Sequence, residues 1–309
     1  MATILITGGT GTIGSALSRA LLDAGHSVIV LTRGGGERSI NARLRFAQWD
    51  VLKGSIDRDA LAEADAVVHL AGANVADGRW TEKRKQEIVR SRVDSGNLLV
   101  QALRDLPNKV QTVISASAIG WYGPDPQVPN PRPFMETDAA ASDTFLGSTC
   151  QQWESAIRPV EGLGKRLVIA RIGIMLSRAG GAYAEFRKPM RFGLAPVMGS
   201  GKQVVSWIHI GDLVRFFINA IEDTRFSGVY NAVAPAPVTN AALVKAIAAA
   251  KGGLAVPLPA PAFALKAALG EMSVEVLKSA TVSSRKLQET GFHFLYPDIA
   301  SAARNLEGR

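Results

Sequence analysis

The run TGGTGTIG, residues 7–14, follows directly on the apolar stretch 3–7 and constrains this chain more than any other feature. Gly8, Gly11 and Gly14 stand in GxxGxxG spacing; Ile13, Ala16, Leu17, Ala20 and Leu21 then recur at helical intervals, Gly25 offers a stop, and 27–31 is again apolar. Strand, glycine turn, amphipathic helix and second strand, in that order, predict a βαβ unit that cradles a dinucleotide. The glycines have separate reasons to be there. The tight turn needs positive φ, a pyrophosphate needs backbone without a Cβ in the way, and the helix must lie close on its strand. The helix N-terminus then faces the anion, with Thr10, Thr12 and Ile13 in the same turn.

Which dinucleotide binds is decided at the tip of the second strand, where a carboxylate suits the 2′-hydroxyl of NAD and a cation suits the 2′-phosphate of NADP. This chain has Thr32 and Arg33 there and Arg38 close behind, whereas the nearby acid, Glu37, lies beyond a triple glycine. NADP(H) is the predicted cofactor. A solvated loop position for Arg33 is the alternative.

The α/β rhythm continues, with strands over 45–49 (ending at Asp50), 66–70, 110–115, 166–172 and 228–233, and helices over 59–63, 79–104 and 143–160. It predicts a Rossmann-type doubly wound parallel sheet with a smaller, discontinuous C-terminal substrate-binding region. Residues 1–173 and 202–234 would form the dinucleotide-binding domain, 174–201 an insertion in the substrate region, and 235–309 a C-terminal domain with a strand-like patch at 292–296. The loop from Pro124 to Pro133, which follows a strand's C-terminal end, reads equally as a lid or as a passive connector.

Composition narrows the classes. Of 309 residues 47% are hydrophobic and 20% charged, which excludes a disordered chain. The single Cys and four scattered His predict no disulfide framework and no metal site. The net charge of +8 is spread without a basic run, and the basic helix 79–104 carries interleaved acids, so nucleic acid is not the expected partner. No apolar run is long enough to span a bilayer and no cleavable leader pattern opens the chain. A cytoplasmic location and a small-molecule substrate are expected, with a homodimer left open.

The motifs TGGTGTIG, HLAG, SASAIGWYG, RIGIML and SWIHIGDL, in this order, resemble those of the extended short-chain dehydrogenase/reductases, the NAD-dependent epimerase/dehydratase family. The segments HLAGANVADGRW and CQQWES and the tail from PAPAFALKAALGEMS to LYPDI are similar to a narrower subfamily labelled sugar-nucleotide epimerases, which ends in a C-terminal domain of unknown function. The resemblance implies that Gly8, Gly11 and Gly14 line a pyrophosphate, Arg33 the 2′-phosphate, and Asp50 and Val51 the adenine. It places Leu70, Ala71 and Gly72 at the adjoining ribose and phosphate, Arg92 and Ile172 toward the nicotinamide half, and Ser115 among the cofactor-binding residues. Ser117 matches the family serine that hydrogen-bonds a substrate hydroxyl or carbonyl.

The catalytic pattern departs from the family. There a Tyr and a Lys four residues later work together, but the residues four after Tyr122, Tyr183, Tyr230 and Tyr296 are Pro126, Arg187, Ala234 and Ala300. Matching the helix through Glu154 puts Leu146 and Cys150 at the two positions. The proton that accompanies hydride transfer still needs a carrier. Tyr122 is the first candidate, if a cation such as Arg92 depresses its pKa; Cys150 is the second and Glu136 on the presumed lid the third. Cys150 also fits an apolar stripe with Trp153 and Ile157, which would leave it inert. Val205 stands where many nucleotide-sugar epimerases carry a diphosphate-clamping arginine, so a UDP-sugar is not expected, and Gln203, Trp207 and His209 are read as a polar and aromatic substrate wall. Two functions follow: an NADP(H)-dependent oxidoreductase or epimerase, or a non-catalytic NADP(H)-binding sensor.

Overall fold

The computed structural model describes residues 1–34, 38–253 and 255–308, with the side chains of 38–41, and so that of Arg38, outside the description. In chain order the first half comprises β1 (Thr3–Thr7), α1 (Thr12–Asp23), β2 (Ser27–Thr32), β3 (Arg38–Asn41), β4 (Leu44–Asp50), β5 (Ser55–Ile56), α2 (Arg58–Glu63), β6 (Ala66–His69), α3 (Glu82–Asp105), β7 (Thr112–Ala118), α4 (Phe145–Ile157) and β8 (Arg166–Ile172). The second half adds β9 (Ile174–Ser177), β10 (Gly180–Gly181), α5 (Ala182–Met190), β11 (Leu194–Met198), β12 (Val204–Val205), β13 (Trp207–His209), α6 (Ile210–Glu222) and β14 (Gly228–Ala232). After these come β15 (Val238–Thr239), α7 (Asn240–Lys251), β16 (Val256–Ala260), α8 (Ala262–Leu269), α9 (Ser273–Leu277), α10 (Arg285–Glu289) and α11 (Ile299–Glu307).

The main sheet runs β14-β8-β7-β6-β1-β2-β4-β3, parallel except where β3 meets β4. Because strand residues alternate faces, Ile4 and Ile6 join one buried layer with Leu17 and Leu21 of α1 and Phe216 and Phe217 of α6. Leu5 joins the opposite layer with Leu98, Leu99 and Leu103 of α3. Both faces are therefore covered, as a parallel sheet requires. A third cluster, around Tyr183, Trp207, Leu243 and Ile299, forms the core of the second lobe. Strand order reverses between β6 and β1, and ligands in such sheets lie beyond the strands' C-terminal ends at that switch point.

The patch 292–296 is not a strand, which corrects the expectation from its alternating apolar residues. Its amides are taken by a side chain: Leu295 N and Tyr296 N donate to the two carboxylate oxygens of Asp212 at 2.8 and 3.0 Å. Asp212 is fully buried in the first turn of α6, and Phe292 enters the main core beside it. Removing this acceptor leaves two amides unpaired, at a cost of about 1–3 kcal/mol per group. Asp212→Ala is expected to lower the unfolding free energy by about 2–5 kcal/mol in urea denaturation, with hydrogen exchange at Leu295 and Tyr296 accelerating first. Unchanged exchange there would contradict the clasp.

Two histidines make stability depend on pH. Burial pulls His69 and His209 down to about 4 from an ordinary value of 6.5. Between those values the unfolded chain is protonated at both positions and the native protein is not, so unfolding takes up protons. Stability is therefore expected to fall as pH drops from 6.5 toward 4, by up to about 3 kcal/mol for each histidine. Thermal melts across this window check the sign, and His69→Gln should flatten the slope.

Candidate functional site

The glycine turn closes as its sequence demands. Gly8 has φ +67°, and a Cβ there would lie 2.8 Å from the carbonyl carbon and oxygen of Leu70. At Gly14 a Cβ would lie 2.5 Å from Gly8 O and from Gly9 Cα. At Gly11, the N-cap of α1, the nearest such contact is 3.3 Å, and the helix start has neither a side-chain cap nor an acid in its first turn. By contrast α2, α3, α4 and α7 are each capped by an Asp or Thr side chain. The amides at Thr12 and Ile13 are thus available to an anion.

The opposite wall is set by Thr7. Its Oγ1 accepts from the amides of Leu70 and Ala71, both at 3.1 Å, and lies 2.8 Å from His69 Nδ1. With those acceptor directions used, the hydroxyl proton goes to Nδ1, which leaves the proton of the neutral imidazole on Nε2, 3.3 Å from Ser95 Oγ. Ser95 in turn donates to Ser91 O at 2.7 Å. This chain of bonds holds the turn Leu70–Ala71–Gly72 against the glycine loop. Gly72 then faces Arg92, whose guanidinium carbon would lie 3.1 Å from an added Cβ. Arg92 donates to the carbonyls of Ala73 and Ile88 and stacks 4.8 Å from the Trp153 ring, and burial brings its pKa down to about 10.

Arg33 is exposed at the tip of β2, and Gly34 N donates to Thr32 Oγ1 at 3.2 Å. Asp50 Oδ1 accepts from Leu52 N and Lys53 N, so its carboxylate orders the turn that carries Val51. Ser115 is fully buried within β7, and Ile172 ends β8.

Ser117, Tyr122 and Glu136 meet in one hydrogen-bonded network, and Cys150 lies outside it. Arg171, on β8, pairs with Glu154 of α4 through Nε–Oε1 at 2.8 Å and Nη2–Oε2 at 3.1 Å, both side chains 2% exposed. Ser117 donates to Glu154 Oε1 at 2.8 Å. Arg171 Nη1 donates to Tyr122 Oη and to the Glu136 carbonyl, each at 3.1 Å, and the Tyr122 hydroxyl donates to Asn231 Oδ1 at 2.7 Å. Glu136 Oε1 accepts from Asn231 N at 2.8 Å.

Several expectations need correction. The cation beside Tyr122 is Arg171, not Arg92, and burial outweighs it, pushing the phenol up to about 12. Burial likewise pushes the Cys150 thiol up to about 12, with Glu154 adding to the rise; its Sγ faces Ala118 O at 3.6 Å. Both shifts favour the protonated forms near neutral pH. The segment carrying Glu136 is tied to its neighbours by Trp121 Nε1 on Asp138 O, Phe134 N on Thr281 O and Ser283 N on Phe134 O, which favours the connector over the lid. The substrate wall is also dissolved. Gln203 is buried and donates to Met198 O, Trp207 is fully buried with its indole on Ala236 O, and His209 Nδ1 accepts from Gly211 N as the cap of α6. Sequence reasoning missed Arg171 and Asn231. Their signal was a polar residue next to the C-terminal end of an otherwise apolar strand.

The chain is 37% identical over 302 residues to the epimerase family protein Mb2239 of Mycobacterium bovis, covering 97% of this chain and 96% of that protein. The chain belongs to the NAD dependent epimerase/dehydratase family. That family matches residues 4–145, and a domain of unknown function, DUF1731, matches 260–306. YfhF of Bacillus subtilis is 35% identical, with 98% of this chain and 97% of that protein covered. The crystal structure of human epimerase family protein SDR39U1 with NADPH superposes with a TM-score of 0.88 at 30% identity, covering 99% of both chains. UDP-N-acetylglucosamine 4-epimerase from Bacillus cereus, at 20% identity and a TM-score of 0.77 with 99% and 98% covered, shares the fold.

Two outcomes test this description. Cys150 is expected to resist iodoacetamide at pH 8 in the native protein and to react on unfolding, since its thiol is both covered and protonated there; rapid native alkylation would contradict it. Glu154→Gln should cost about 3–5 kcal/mol in chemical denaturation, because it strands a buried guanidinium.

Proposed function

We propose that this protein binds NADP(H) and acts as an oxidoreductase or epimerase on a small carbonyl or hydroxyl compound. The observation that carries the reading is the tight glycine turn, in which a Cβ at Gly8 or Gly14 would collide with backbone, set against the uncapped start of α1 at Gly11. Such a cradle suits a pyrophosphate. Thr10, Gly11, Thr12 and Ile13 would complete it, with Arg33 meeting the 2′-phosphate and the turn from Asp50 to Val51 meeting the adenine. Leu70, Ala71 and Gly72 would line the adjoining ribose, and Arg92, Ser115 and Ile172 the nicotinamide half. The NADPH in the SDR39U1 structure supports the choice of coenzyme.

NADPH supplies a hydride when bound; the chain's own part is to orient the substrate and stabilise charge. Ser117 donates its proton to Glu154, so its oxygen offers lone pairs to an incoming hydroxyl. The family's tyrosine and lysine are replaced by Leu146 and Cys150, and the Tyr122 phenol is held on Asn231. A second reading, a non-catalytic NADP(H) sensor, draws its support from the protonated state of Tyr122 and Cys150.

Fluorescence titration should show NADPH binding at least about ten-fold more tightly than NADH, a difference near 1.4 kcal/mol. Arg33→Ala should remove most of that gap while leaving NADH binding unchanged. Equal binding of the two coenzymes by the unaltered protein would refute the assignment. Incubation with stereospecifically deuterated NADPH and a pool of small carbonyl compounds separates enzyme from sensor, since only an enzyme moves the label.

A further inference from the structure

We propose that Lys278, contributed by the C-terminal domain, is the cation that faces the reactive end of the bound nicotinamide and holds the substrate's reacting oxygen. This inference rests on the NADP(H) reading above. The adenosine end lies toward β2, so across the switch point the nicotinamide half extends over the C-terminal ends of β6 and β7. The surface there is made by Gly120, Leu146 and Cys150, with Cys150 Sγ and Leu146 Cβ 3.5 and 3.1 Å from where a Gly120 Cβ would stand. Lys278 reaches this surface from outside the Rossmann domain. Its Nζ lies 3.4 Å from Tyr122 O and 2.6 Å from Glu275 Oε2, and its side chain is 9% exposed. Two of its three N–H groups have partners among the described residues, and the third is free for a ligand oxygen.

The lysine is held in place by the chain that follows it. Ser279 Oγ and Thr281 Oγ1 donate to Asp125 Oδ2, each at 2.8 Å, Thr281 N donates to Oδ1 at 2.9 Å, and Asp125 N returns a bond to Ser279 O at 2.8 Å. Asp125 is itself buried, in the loop that follows β7. Such a clamp fixes the backbone one residue from Lys278 and sets where its stem can point. The other polar groups nearby are engaged: Ser117 on Glu154, Tyr122 on Asn231, and Arg92 on two carbonyls. Arg92 and Lys278 are both within electrostatic reach of the Cys150 thiol, as is Glu154, whose opposing effect is the larger.

Sulfite reads such a cation without knowledge of the substrate. Its sulfur lone pair forms a bond to C4 of NADP⁺, the displaced ring electron pair returns to the pyridine nitrogen, and the anionic adduct absorbs near 320 nm; no oxidant or proton is consumed. The unaltered protein with NADP⁺ is expected to stabilise this adduct. Lys278→Met should weaken the adduct about ten-fold or more relative to NADP⁺ binding measured on the same variant, and Lys278→Arg should restore most of it. Lys278→Gln serves as the neutral variant if the methionine form does not fold. Equal adduct stability in the neutral variants, or no adduct in an unaltered protein that binds NADP⁺, would overturn the assignment. Absence of NADP⁺ and NADPH binding would instead remove the coenzyme reading and this inference with it.

Discussion

A guanidinium buried at position 171 must be matched in charge and hydrogen bonds, and the way the chain does so fixes the middle of the molecule. Isolated in the interior it would cost several kcal/mol. Glu154 meets it from α4 with both oxygens, the Glu136 carbonyl and the Tyr122 hydroxyl meet it from the long loop, and the Trp121 ring lies 3.6 Å from the guanidinium carbon. One side chain thereby ties β8, α4, the end of β7 and the loop after it. The Ser117 hydroxyl falls into the same arrangement because Glu154 still has lone pairs to fill.

The consequence for chemistry is a division of labour. The residues that in sequence look catalytic, Tyr122 and Glu136, are consumed in making the frame rigid. Their hydrogen bonds are short and paired, and burial holds the phenol protonated. Rigidity of this kind suits a site that positions a substrate oxygen against a hydride donor, since misplacement by an ångström costs rate heavily. The charge such a reaction needs must come from groups at the margin of the frame, and the C-terminal lobe is well placed to deliver it.

Much of this was legible in the sequence where local rules act alone. The βαβ unit, β8 at 166–172 and the glycine turn are written in apolar runs and in a steric demand that Gly8 and Gly14 meet. Reading stopped where tertiary contacts override pattern. Residues 292–296 alternate like a strand, yet Asp212 captures their amides. The proline-rich stretch hides β16, whose Val256 N bonds to Gly193 O while Pro257 and Pro259 fall at positions facing away from β11, where no amide is needed. Gln203, Trp207 and His209 were polar or aromatic in an alternating segment, and only the fold shows that every one of them points into a core or a cap.

The proposed matching of Leu146 and Cys150 to the family's tyrosine and lysine confines the departure to one face of α4. Gly120 packs directly on both residues. The charges around the Cys150 thiol are mixed: Glu154 acts on it more strongly than Arg92 or Lys278, and Lys278 is itself paired with Glu275. Cys150 is 3% exposed, with its Sγ against Ala118 O and close to Gly120. A longer lysine stem at this point would overfill that contact and bring a buried charge that must be matched. The short, neutral side chain on α4 therefore follows from packing and desolvation together.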